Sequence, residues 1–202
     1  MLPIMHLAEI LRRRKMVRSY TDEPVPLEIV ARIVDRARKA PTAGFSQGLR
    51  FVVATDPEVR RAVAQAGGEE HYVEHGFGSW LSEAPVQVVV CTREEDYHER
   101  YRRPDKLRDD GTEIEWPVPW WYADAGKAIM LLLLCAIDEG LAAGMFGFTD
   151  ADSCKRALGI PDDVTPVAAV TIGHPGPNDP GGSRGKFAWK PLEEVVRWER
   201  WS

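Results

Sequence analysis

The chain is poor in cysteine: Cys91, Cys135 and Cys154 are the only three in 202 residues. They form no CxxC pair, which excludes a zinc ribbon or a redox dithiol of that type. An odd, dispersed set also offers no disulfide framework and suits a reducing compartment. Cys91 and Cys135 sit in apolar runs and are expected as buried small hydrophobes. Positive charge is in deficit, with 26 Lys+Arg against 31 Asp+Glu and a net charge of -5. That balance excludes a general nucleic-acid binder, which would carry a basic surface. Long hydrophobic runs are missing too. "AIMLLLLCAI" at 128–137 is the longest, about half of the ~20 residues a membrane span needs. The opening "MLPIMHLAEILRRRK" places apolar residues before basic ones, the reverse of a secretory signal. The expectation is a cytoplasmic protein with neither nucleic acid nor membrane as partner. No G-x-G-x-x-G follows a strand, and no P-loop is present, so two common nucleotide cradles are lacking.

What is there reads as a single domain over 1–202. Apolar spacing predicts a short helix over 6–14 and a second over about 26–39, opened by Pro26 and stopped before Pro41. "RFVVAT" and the β-branched "APVQVVVCT" at 84–92 read as strands, as does "TPVAAVTIGHP". "DPEVRRAVAQAGG" and "SCKRALGIP" read as helices. Residues 124–141 form a helix apolar nearly all round, expected at the centre of the core. Residues 93–123, charged and then aromatic, look like an excursion or lid. The tail "KPLEEVVRWERWS" is strand- or helix-like. Helices alternating with apolar strands give an α+β or α/β sandwich.

Four stretches carry candidate chemistry. "RRRKMVRSY" concentrates cations in an acidic chain; Arg12 and Arg13 suit a solvated helix face, whereas Arg14, Lys15 and Arg18 persist to its end and can converge on one anion. The fork of arginine suits phosphate oxygens. "GLAAGMFGF" at 140–148 holds more glycine than a helix cap needs, and glycine lets a backbone approach a planar ligand closely. "WPVPWWYAD" at 116–124 is either aromatic packing or a stiff wall over a flat ligand, with Trp120 or Trp121 nearest to it. "HYVEH" at 71–75 matches H-x-x-E-H, in which His71 and His75 would hold zinc and Glu74 act as base. Hemmed in by glycines, it reads better as a mobile polar segment lining a pocket.

Taken in order, these pieces resemble the FMN-dependent nitroreductase family. "RRRKMVRSYTDEPVP" is similar to that family's opening R-R-S-[IV]-R-x-[FY] stretch, and "ARKAPTAGFSQGLRFVV" to A-P-S-x-x-N-x-Q-P-W-x-F. "DAGKAIMLLLLCAIDEGLAAGMFGF" is similar to its long core helix and glycine-rich sequel. "LGIPDDVTPVAAVTIGHP" and "KPLEEVV" are similar to its close. The resemblance implies an α+β three-layer sandwich with a mostly antiparallel central sheet flanked by helices. It also implies a domain-swapped type of homodimer with two composite FMN sites. Arg14 and Lys15, with Arg13 beside them, then fall where the FMN phosphate is held. Arg18 falls at the flavin N1–O2 edge, where a cation raises the cofactor's potential. Pro41, Thr42, Ala43 and Phe45 fall on the loop that a partner lays along the ring. Gly147, between Phe146 and Phe148, falls at the N5 edge, and Lys186 and Lys190 near the late phosphate ligands. His75 and Phe77 fall on the substrate side. No metal is expected.

The implied activity passes hydride from NAD(P)H through FMN to a small acceptor such as a nitro compound, quinone or enone. No catalytic side chain is required, because the cofactor carries the chemistry. Alternatives are other flavin chemistry on this fold (dehalogenation, dehydrogenation, flavin breakdown) and a zinc hydrolase built on "HYVEH". The chain departs from the family's pattern at Met16, where serine is usual, at Phe45, where asparagine is common, and at Gly48–Leu49, which replaces Pro–Trp.

Overall fold

β-Branched runs with apolar residues on both faces encode strands that must be covered on both sides. In the computed structural model, which describes residues 6–180 and 188–201, they form a four-stranded antiparallel sheet. The strands are β1 (Leu49–Ala54), β2 (Val86–Thr92), β3 (Ala142–Phe146) and β4 (Thr165–Gly173), in the order β1-β2-β4-β3. β2 is buried along its whole length. Its alternate residues divide between two cores, as the strand's period of two requires. Val86, Val88 and Val90 face a core built with helices α2 (Leu27–Ala37) and α7 (Trp120–Asp138). Val89 and Cys91 face a second core with α3 (Pro57–Ala66), α5 (Trp80–Glu83) and α8 (Ala151–Leu158). The expected α+β three-layer sandwich is therefore what forms.

Local chemistry sets the helix ends. Asp56 caps α3 by accepting from the Glu58 and Val59 N–H groups, and Pro57 occupies the first turn, where its missing N–H has no consequence. Asp150 caps α8 through Ser153 N–H, and Gly159 closes it in the left-handed region at φ 62°. α7 is long and apolar enough to cross a membrane by length and composition. It packs against α1 (Leu7–Arg13), α2 and all four strands, as the core helix of a three-layer fold does.

Three segments differ from the sequence expectation. Residues 93–123 are not simply an excursion: 95–101 form α6 (Glu95–Tyr101), whose Tyr97 is fully buried, and 120–123 are the first turn of α7. The glycine-rich sequel to α7 is β3, a strand on the edge of the sheet. Gly140, at φ 77°, ends the helix turn. Gly144 lies inside β3 because a Cβ there would stand 2.5 Å from the Val17 carbonyl oxygen. "HYVEH", expected as a mobile polar segment, lies mostly within α4 (Glu69–Glu74), a short helix bounded by left-handed Gly68 and Gly76. The tail contains one helical turn, α9 (Leu192–Val195).

Candidate functional site

After α1 the chain runs extended through the cationic stretch and docks on the β3 edge. The Val17 N–H donates to the Ala143 carbonyl at 3.1 Å, and the missing side chain of Gly144 permits the approach. The next residues pair with the end of β4: Thr21 N–H donates to His174 O and Gly176 N–H to Ser19 O. Two backbone seams thus fix the positions of Lys15 and Arg18. Around the end of β4 comes Asp179, whose carboxylate accepts from Lys15 Nζ at 3.0 Å and from the Arg18 N–H at 3.3 Å. A carboxylate bound between a lysine and a backbone N–H shows that this spot accepts an oxyanion. Arg13 is different. It and Arg12 turn back onto Glu9, holding that carboxyl down at about 2, so Arg13 belongs to the surface of α1 as the structure stands.

The Arg18 guanidinium lies over the rings of Phe77 and Trp80, at 5.6 and 5.7 Å from their centroids, within cation–π range. Trp80 continues edge-on to Tyr72 at 5.4 Å and to Phe146 at 6.0 Å, and Phe146 to Phe148 at 5.8 Å. Arg18, Phe77, Phe146 and Phe148, far apart in sequence, therefore meet in one aromatic chain. Gly147 between the two phenylalanines is exposed, and a Cβ there would touch nothing, so its backbone faces open space. The buried Trp80 indole N–H has no hydrogen-bond partner. His75 ends α4 at the surface, two residues from Phe77.

The 41–47 loop lies elsewhere on the chain, beside the start of α7. Phe45 and Gln47 adopt φ values of 59° and 55°, a left-handed conformation that costs roughly 1–2 kcal/mol per non-glycine residue. Phe45 is nonetheless 74% exposed, so no packing of its own ring explains the strain. The loop is instead held from beneath. Ala43 N–H donates to the fully buried Asp124 at 2.8 Å. Asp124 also accepts from Tyr97 Oη at 3.0 Å and Lys127 Nζ at 2.6 Å. Arg100 Nε donates to Gly44 O at 2.8 Å, and Gln47 N–H to Thr42 Oγ1 at 3.0 Å. Burial, then the Asp124 charge, pushes the Tyr97 phenol up, so it stays a donor. Strain sustained by such a network marks a loop shaped for a task.

A cleft of about 400 Å³ opens between this loop and the former excursion, lined by Pro41, Thr42, Tyr101, Trp116, Trp120 and Lys127 among others. Trp120 is half-exposed on its wall, with Lys127 Nζ 5.5 Å from its ring. Trp121 is buried against Tyr97, His98 and Trp116, so of the two candidates only Trp120 reaches the cleft. Lys190 is exposed in the tail, and Lys186 lies outside the described residues. Sequence reading missed Asp124, Tyr97, Trp80, Tyr101 and Asp179, while Trp116 lies in the stretch it had read as a possible aromatic wall. The cysteines offer no nucleophile: burial raises Cys91 to about 12 and Cys154 to about 11, and also raises Cys135.

An oxyanion-accepting spot, an arginine framed by rings and an open glycine backbone along one sheet edge could together hold an anionic, planar ligand. The orphaned Trp80 N–H and the unfilled space over Gly147 fit a phosphorylated flavin. Comparison with known proteins agrees. Residues 11–174 match the family model "Nitroreductase family", and the chain belongs to that family. It is 28% identical to an NADH dehydrogenase of Thermus thermophilus over 98% of each chain. It is 27% identical to an FMN reductase [NAD(P)H] of Bacillus subtilis, over 82% of this chain and 64% of that one. A solved structure of a hypothetical oxidoreductase from Bacillus subtilis superposes with a TM-score of 0.76 at 23% identity, covering 98% of this chain and 76% of that one.

Proposed function

We propose that the protein is an FMN-dependent oxidoreductase that takes hydride from NAD(P)H and delivers it to a small aromatic or conjugated acceptor. The observation that carries this is the β3 edge, where the segment bearing Lys15 and Arg18 docks through Val17 on Ala143 and Arg18 lies over Trp80, whose ring meets Phe146. Lys15, with Arg14 next to it in sequence, holds the phosphate; Lys15 lies where Asp179 already occupies an oxyanion position. Arg18, kept in place by Phe77 and Trp80, sets a positive charge against the ring edge. Gly147 lets the backbone come within bonding distance of the ring's other edge. FMN, when bound, supplies the two-electron chemistry, and every side chain named here binds, orients or excludes water.

The strained loop Pro41–Gln47 is read as this chain's contribution to the site of a second copy. Its Phe45 ring points into solvent with a backbone held rigid beneath it, as a ring presented to a partner would. The tail supports the same homodimer: Trp198 and Trp201 are 82% and 84% exposed, unlike indoles folded back on their own subunit. The cleft wall at Trp120 and Trp116 takes the acceptor, and stacking there contributes ~0.5–1.5 kcal/mol per ring. The free, mostly buried cysteines suit a cytoplasmic setting.

Steady-state NAD(P)H oxidation by the FMN-loaded protein, with a nitroaromatic, a quinone and an enone in turn, tests the reading. Trp120→Ala is expected to change kcat/KM unevenly across the acceptors and leave FMN affinity unchanged. Uniform kcat/KM values with a lowered Tm would make the wall structural. A flavin-loaded protein that oxidises no NAD(P)H would favour other flavin chemistry on the same fold.

A further inference from the structure

We infer that His71, His75 and Glu74 on α4 form a surface site for a divalent transition-metal ion of the zinc class, distinct from the flavin edge. The two histidines stand four apart, so a helix puts both on one face. Their rings lie 4.2 Å apart between centroids, tilted by 39°. One ligand atom from each of the three residues falls within 4.8 Å of the other two. Zinc bonds of 2.0–2.1 Å in a tetrahedron bring ligand atoms to about 3.3 Å from one another. The remaining approach of up to about 1.5 Å is within the reach of exposed side chains that turn about χ1 and χ2.

A second observation points the same way. His75 Nδ1 lies 2.8 Å from the His71 carbonyl oxygen. A carbonyl only accepts, so Nδ1 carries the proton and the neutral ring keeps its lone pair on Nε2. Metal-binding imidazoles are oriented in this manner, with one nitrogen donating to a fixed acceptor and the other ligating. Here the acceptor is the backbone of the other histidine, so one helical turn sets both the spacing and the tautomer. Gly68 and Gly76, at φ 75° and 79°, end the helix on either side and keep the three groups on a single short segment. Two imidazoles and a carboxylate suit zinc, nickel or copper over magnesium or calcium. The donors are all exposed and leave coordination positions open to water, which suits a binding site on the surface and not a shielded peptidase centre.

Such an ion would staple α4, whose six residues are too few to hold a helix unaided. Tyr72, on the same helix, packs edge-on against Phe77 and Trp80, the rings that frame Arg18. Metal binding would therefore stiffen the aromatic wall beneath that arginine.

The experiment titrates Zn²⁺ into untagged, chelator-stripped full-length protein by calorimetry, with a chromophoric chelator in competition. One equivalent per chain is expected, with micromolar affinity. His71→Gln and His75→Gln should each weaken it at least about tenfold, and Glu74→Gln by less, while His174→Gln leaves it unchanged. All three side chains are exposed, so the variants are expected to keep the wild-type far-UV spectrum. The absence of saturable binding overturns the site, as does wild-type affinity in the double variant H71Q/H75Q. Unchanged affinity in Glu74→Gln overturns the three-ligand assignment.

Discussion

The cationic edge and the 41–47 loop are built on opposite principles. At the edge, the backbone is relaxed and paired along two seams, and the charged side chains reach out on long stems. Lys15 remains 62% exposed at its side chain even while bonded to Asp179. At the loop, the backbone is strained and the charge is inside: Asp124 is fully buried and gathers three donors from three elements. The difference teaches how one small fold serves a cofactor. Recognition of an anion tolerates mobile side chains, because Coulomb attraction is only weakly directional. A loop with the role proposed for 41–47, a wall against a ring, tolerates no slack, and this loop is fixed from below by a buried network.

The sharpest way to break the comparison is to remove Asp124. Asp124→Ala strips Ala43 N–H and Tyr97 Oη of their acceptor and Lys127 of its carboxylate partner. A loss of about 3 kcal/mol in unfolding free energy is expected, with the loop released; denaturant melts measure it. Stability within ~0.5 kcal/mol of wild type would show that the network does not hold the loop. A smaller effect of opposite sign is expected from Phe45→Gly. Glycine accepts the left-handed backbone freely, at the expense of unfolded-state entropy. Unfolding free energy should rise by about 0.5–1 kcal/mol while FMN affinity and dimer association fall, measured by denaturant melts, flavin titration and sedimentation. A stabilised variant with wild-type flavin affinity would assign the strain no task.

The smallest effect concerns pH. Burial opposes the charged form of His98, but bonds to Glu113 and Glu94 prevail and raise its pKa. Glu113 is lowered, against its own burial, by Trp116 and His98. A raised histidine contributes stability in full below its unfolded value of about 6.5 and loses it as pH rises through the folded value. The Tm gap between wild type and His98→Gln should therefore be widest below pH 6 and narrow above neutrality. A gap that widens with pH would reverse the assignment.

What could be read beforehand follows the same division. β2 was legible because an unbroken β-branched run has few other uses, and the cationic stretch because charge stands out in an acidic chain. β3 was hidden by Gly144, which weakens a strand signal and whose missing side chain makes room first for Val17, a neighbour 127 positions away, and then for Thr171 and Trp80. α6 was hidden by its charges, since Tyr97 is its one buried residue. Asp124 stands at the start of the expected 124–141 helix and carries no signal of its own in the sequence. Its three donors come from the 41–47 loop, α6 and its own helix, and only the folded chain brings them together. Residues that bind by charge are visible in sequence, and residues that hold a shape are visible only in the fold.

The claim on which all this rests is that the β3 edge is a flavin receptor, and titration of the purified chain with FMN tests it most directly. Wild type is expected to bind FMN. Arg14→Ala and Arg18→Ala should each weaken binding by ~1.5–3 kcal/mol, about tenfold to a hundredfold, with little change in Tm. Wild-type affinity in both variants would contradict the account.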